Sequence, residues 1–201
     1  MTMTDTIGRS SIARASLLLM LACAVEPVPL AESTWNNLQF GASLDEVKQA
    51  LSKQNLRLEQ SDKTWIIVKP DWSLKMPGAN AVFFSFTPSL HFSDAGRLEV
   101  VDLALKDIQP DDGVGVGQYL AVTWIEQQLI AKYGTPAIQA GACNSVNATD
   151  FVDSQRKLDC KAVWKAGEQT VTLSWAYLGK GMAAGKLILG IIYEALKPSA
   201  F

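Results

Sequence analysis

Histidine is nearly missing from this sequence: His91 is the only one in 201 residues. A zinc centre draws about four ligands from His, Cys and carboxylates. One imidazole and three cysteines far apart in the chain do not make such a set by spacing. Ser-His-Asp hydrolysis would have to use His91, and no G-x-S-x-G turn is present to raise a serine nucleophile. An excess of charge of either sign is lacking too. Lys and Arg number 18 against 20 Asp and Glu, a formal net charge of -2. That gives no electrostatic reason to bind nucleic acid or an anionic membrane. Nor does any apolar run reach the roughly 20 residues that a membrane-spanning helix needs. These absences leave no catalytic residue, metal ligand or cofactor to name.

What is present starts at the N-terminus. Arg9 and Arg14 precede Leu17-Leu18-Leu19-Met20-Leu21-Ala22, followed by Ala22-Cys23-Ala24 and the broken stretch Glu26-Pro27-Val28-Pro29. A basic segment, a short apolar core and a small-x-small junction spell a secretory signal; the competing reading is a buried first helix. The sequence therefore predicts a signal peptide over 1–24, a linker over 25–34 and one domain over 35–201. Removing 1–24 discards Asp5, Arg9 and Arg14, so the mature chain is one unit more negative. Cys23 has two fates. Cleavage after Ala24 discards it, whereas lipidation would make it the anchored N-terminus of an outer-membrane protein. Met20-Leu21-Ala22-Cys23 resembles a bacterial lipobox but departs from it at Met20 and Leu21. The expected location is the periplasm, soluble or lipid-anchored.

Cys143 and Cys160 remain in the mature chain, flanking a polar stretch from Asn144 to Asp159. An oxidising compartment favours their pairing over two free buried thiols.

Along the chain, Ser43-Leu44-Asp45-Glu46 has the pattern of a capping box, and Leu44, Val47 and Leu51 follow at helical spacing to about Ser52. Strands are predicted over Leu56–Gln60, Thr64–Lys69, Ala81–Phe86, Leu90–Phe92 and Arg97–Leu105, the last with a phase slip that a β-bulge would absorb. Residues 70–80, with Pro70, Pro77 and Gly78, read as a loop. Gln118–Tyr133 is the clearest helix: Val122, Ile125 and Leu129 form a stripe and Gly134 supplies the stop. Three alternating strands follow, through Leu158–Trp164, Val171–Tyr177 and Leu187–Tyr193. The expected class is α+β, two helices on antiparallel sheet. Two degenerate helix-plus-meander units, 35–106 and 107–195, would account for the order.

Phe40-Gly41-Ala42-Ser43-Leu44-Asp45-Glu46-Val47 resembles the opening of many small bacterial envelope proteins. Leu129-Ile130-Ala131-Lys132-Tyr133-Gly134-Thr135-Pro136 is similar to the helix ending of the same kind of protein. These proteins are similar to the outer-membrane assembly lipoproteins and β-lactamase-inhibitor-like domains. The resemblance implies helices packed on an antiparallel sheet; its motifs encode a helix start and stop and carry over no functional residue.

Other motifs dissolve on inspection. Gly113-Val114-Gly115-Val116-Gly117 fits no phosphate-loop frame, Asp111-Asp112 lacks EF-hand spacing, and Ser154-Gln155-Arg156-Lys157 lacks the companions of an S-x-x-K enzyme. Trp72, with Met76 on the rim, is the one aromatic lead for binding. The sequence therefore points to a non-catalytic binding or accessory module with a protein partner in the envelope. The alternatives are an inhibitor or immunity-type protein, and a small hydrolase built on carboxylates such as Asp111, Asp112 and Asp153.

Overall fold

Ser43 starts the first helix through its own side chain. Its backbone is extended, its hydroxyl accepts the Glu46 N–H, and the Glu46 carboxylate takes the Ser43 N–H at 2.7 Å. This capping box satisfies amides that have no partner inside the helix. Helix α1 (Leu44–Ser52) follows and buries Val47 and Leu51. The structure is a computed structural model and describes residues 34–68, 72–75, 83–109, 116–152, 157–180 and 183–196.

Before α1, the strands β1 (Thr34–Trp35) and β2 (Leu38–Gln39) form a small hairpin. Its turn residues Asn36 and Asn37 both have positive φ, as a tight hairpin turn requires. After α1 come β3 (Arg57–Ser61), β4 (Thr64–Val68), β5 (Trp72–Lys75), β6 (Phe83–Phe92) and β7 (Leu98–Gln109). The second half runs α2 (Val116–Tyr133), β8 (Ile138–Gly141), α3 (Ala148–Val152), β9 (Lys157–Ala166), β10 (Gln169–Lys180) and β11 (Ala183–Ala195).

Apart from the hairpin, the strands form one nine-stranded antiparallel sheet in the order β3-β4-β6-β7-β11-β10-β9-β8, with β5 also paired to β6. The last strand of each half therefore lies beside the other, and β7–β11 is the seam at mid-sheet. Alternation then sorts the side chains. Leu58, Ile67, Leu90, Val101, Tyr193, Ile191, Leu173, Ala162 and their phase-mates point to one side, where α1 covers the β3–β7 half and α2 and α3 cover the rest. Leu103 and Tyr193 touch both clusters and make the core continuous.

Strand outweighs helix, and there are three helices rather than the expected two among the described residues. Helix α3 sits in the cysteine loop, where Phe151 gives it a deeply buried apolar anchor but a five-residue helix leaves no periodic stripe to read. β6 is one strand running through Pro88, where the sequence predicts two, over Ala81–Phe86 and Leu90–Phe92. The outer edge of β6 is paired by β5 over Phe83–Phe86 and by β4 over Ser89–Leu90. Pro88, which has no N–H to donate, falls in the gap between them. Trp72–Lys75 is a strand inside the expected loop: two prolines bracket it in sequence, yet β6 supplies a free edge for it to pair with. The expected bulge in β7 is at Glu99, where the register skips from Val100 to Leu98 and turns Leu98 back to the core.

Candidate functional site

All three helices lie on one side of the sheet, so among the described residues the other side has no cover. Its central strands carry small side chains: Ser85, Thr87 and Ser89 on β6, Ala104 on β7, Gly190 on β11, and Thr172, Ser174 and Ala176 on β10. The seam brings Gly190 opposite both Ala104 and Ser174, which makes a shallow floor three strands wide. Asp102 borders it. A methyl group placed on Gly190 would sit 3.7 Å from Asp102 Oδ1 and 4.0 Å from Ser174 Oγ. At one end the face turns apolar, with Ile188 54% and Leu178 40% exposed. Along β9, the outward positions Lys157, Asp159, Lys161 and Lys165 add an exposed row of three lysines and one carboxylate.

Asp102 is the chemically distinctive group of this face. Burial raises its carboxyl above the ordinary carboxylate range, opposed by the attraction of His91 on the neighbouring strand. The sign of the linkage follows. Below the ordinary Asp value, about 3.9, both folded and unfolded chains hold the proton and the group costs nothing. As pH rises, the unfolded chain ionises first, so stability falls until the folded carboxyl has ionised as well. Asp102→Asn removes that loss. The variant is therefore expected to gain stability relative to wild type between about pH 3 and about pH 7, by under about 1 kcal/mol, because the half-exposed group is screened by water. Urea midpoints at the two pH values check this; an equal offset at both would contradict it.

His91, Asp102 and Ser174 share this face but not a hydrolytic geometry. His91 is on β6 and Ser174 on β10, with β7 and β11 between them. Three strand spacings are roughly 14 Å, far beyond the reach of a nucleophile–base hydrogen bond. A separate pocket of about 380 Å³ lies between the β1–β2 hairpin and the start of α1, lined by Phe40, Glu46 and Arg97 among others. Its two charged groups are already engaged. Glu46 caps α1, and Arg97 Nη1 donates to the Gly41 carbonyl at 3.3 Å and lies 3.9 Å from Glu46. Those bonds hold the Glu46 carboxyl below its ordinary value, Ser43 foremost.

Of the residues singled out from sequence, Cys143 and Cys160 are joined as a disulfide, Cα–Cα 5.0 Å. Trp72 is a strand position opposite Phe86. Met76, Cys23, Asp111, Asp112 and Asp153 lie outside the described residues. No described helix is long and apolar enough to cross a membrane.

Sequence reasoning passed over Glu126. It lies midway along α2 and is 2% exposed, a rare position for a carboxylate. Its Oε2 accepts the Asn144 backbone N–H at 3.3 Å, and Oε1 has no hydrogen-bond partner among the described residues. Burial raises its pKa, with the Asn144 bond acting in the opposite direction. A carboxylate oxygen of Glu126 and the two sulfurs of the disulfide all lie within 4.8 Å of one another. The signal was available: Glu126 follows Val122 by four and precedes Leu129 by three, inside the apolar stripe.

Fold and site together define a helix-backed antiparallel sheet with one face uncovered among the described residues and a disulfide within its core. Compared with protein-family models, curated proteins and solved structures, the chain matches none.

Proposed function

We propose that this chain is an exported, non-catalytic binding module of the bacterial periplasm, which lays the uncovered face of its sheet on a protein partner in the cell envelope. One observation carries the reading: every described helix is on one side, while the other offers small side chains around the half-buried Asp102, with exposed Ile188 and Leu178 beside them. Small residues let a partner's backbone or side chains approach closely, and exposed aliphatics supply apolar area. A partner fitting this face presents a Lys or Arg to Asp102 and carboxylates to the Lys157–Lys161–Lys165 row. A desolvated ion pair of that kind gives specificity as well as attraction. The Cys143–Cys160 bridge supports an oxidising compartment.

The experiment has two arms. N-terminal mass spectrometry of native material should find a start at Val25 or an acylated Cys23, and a start at Met1 or Thr2 would end the export reading. Cross-linked capture from envelope extract should fall at least about tenfold for Asp102→Arg and for Ser174→Arg, since a buried charge mismatch costs several kcal/mol. Trp72→Ala and Lys132→Glu, the latter on exposed α2 surface, should retain capture. Loss in Trp72→Ala with retention in the Asp102 and Ser174 variants would move the binding surface to β5.

A further inference from the structure

We propose that reducing the Cys143–Cys160 disulfide opens a buried metal site, in which both thiolates and the Glu126 carboxylate hold a zinc-class divalent ion. The three donor groups come from three separate segments: α2, the turn after β8, and β9. They already lie within 4.8 Å of one another, and all three residues are buried. With Zn–S near 2.3 Å, two sulfurs of a tetrahedral site sit on the order of 3.8 Å apart. The bonded sulfurs must therefore separate and the carboxylate must draw in towards them, a change within reach of side-chain rotation.

Glu126 is what distinguishes this cluster from an ordinary buried bridge. A disulfide needs no carboxylate beside it. Burying a carboxyl with one oxygen unpartnered among the described residues costs free energy. A bound cation would supply the missing partner. The Asn144 N–H on Oε2 would orient the carboxylate, leaving Oε1 for the metal, in the way outer hydrogen bonds set first ligands. Two sulfurs and one carboxylate make three protein ligands and leave a fourth position for water, the count of an open zinc site.

The chemistry balances as follows. A dithiol reductant gives two electrons and two protons to the disulfide and becomes a disulfide itself, leaving two thiols on the protein. Metal uptake then releases those two protons as both sulfurs bind as thiolates. In the oxidised chain neither sulfur can ligate in this way, so the bridge masks the site. The inference does not depend on the binding face, since the cluster lies on the helix-covered side of the sheet.

The test uses the full exported chain, reduced with dithiothreitol and desalted without oxygen. Cobalt(II) should bind at about one ion per chain and produce a thiolate-to-cobalt charge-transfer band, which zinc(II) then abolishes. The oxidised chain should give no band. Cys143→Ser should lose the band, and Glu126→Gln, which keeps both thiols, should bind at least about tenfold more weakly. X-ray absorption on the zinc-loaded wild type gives a readout independent of any variant: two sulfurs plus oxygen ligands are expected, and four sulfurs would overturn the site. No band in the reduced wild type, or equal affinity in Glu126→Gln, would also overturn it. If reduction erases the far-ultraviolet circular dichroism, recovery on adding zinc supports the site and failure to recover sinks it.

Discussion

Trp164→Ala is expected to cost about 3–5 kcal/mol of unfolding free energy. The indole is fully buried on β9, and its Nε1–H donates to the Gly134 carbonyl at 2.8 Å. Gly134 is the left-handed residue that ends α2, with φ +78°, and its own N–H bonds the Ile130 carbonyl. One ring therefore packs the core and ties the stop of the long helix to the sheet. Alanine would leave a cavity and cut the tie to the Gly134 carbonyl. Trp164→Phe separates the two effects: it keeps most of the packing and loses the hydrogen bond, for about 1–2 kcal/mol. Trp175 is the natural control, because its buried Nε1 has no partner among the described residues. Trp175→Phe should be the milder of the two aromatic exchanges. Urea melts of the four proteins decide; a loss under about 0.5 kcal/mol in Trp164→Ala would mean the ring is not in the core.

The second large effect belongs to the disulfide. The double variant Cys143→Ala, Cys160→Ala should lose about 3 kcal/mol, as the chain-entropy model gives for a loop of this size. The sequence separation is 17. The folded loop has anchors of its own. Phe151 packs against Tyr177 and Trp175, and the Tyr177 hydroxyl donates to the Phe151 carbonyl. The bridge thus acts mainly on the unfolded chain, and the variant should stay folded within the usual 5–15 kcal/mol of domain stability. A midpoint unchanged from wild type would show that the native contacts, not the bridge, hold this segment.

How far the fold was legible depended on where each signal lives in the chain. The start of α1 and the stop of α2 are local, written in Ser43, Glu46 and Gly134, and the structure repeats them. The strands β9, β10 and β11 bury alternate residues, so period two announces them. β8 is exposed along its whole length and offers no alternation to detect. β5 was hidden by the prolines on either side of it, because whether such breakers matter depends on which neighbour arrives at that edge. The uncovered face was the least legible feature. Asp102, Ser174 and Gly190 occupy ordinary outward positions on their own strands, and only the long-range order β7-β11-β10 brings them together. Glu126 was hidden for the opposite reason: a charge on a helix is commonly a solvated one, and its neighbours in the stripe had to be weighed against that habit.

The seam between β7 and β11 bears on how the molecule comes into being. β11 is the last of the described strands, yet it occupies the middle of the sheet, with β7 on one side and β10 on the other. Until that segment has been made, β7 and β10 each present a bare backbone ladder, the kind of edge that invites pairing with other chains. Assembly must also wait for contacts distant in sequence, which slows it. The period of vulnerability therefore ends only when the final stretch is delivered. A chain cut short before Ala183 would lack the keystone between its two halves, not merely a tail.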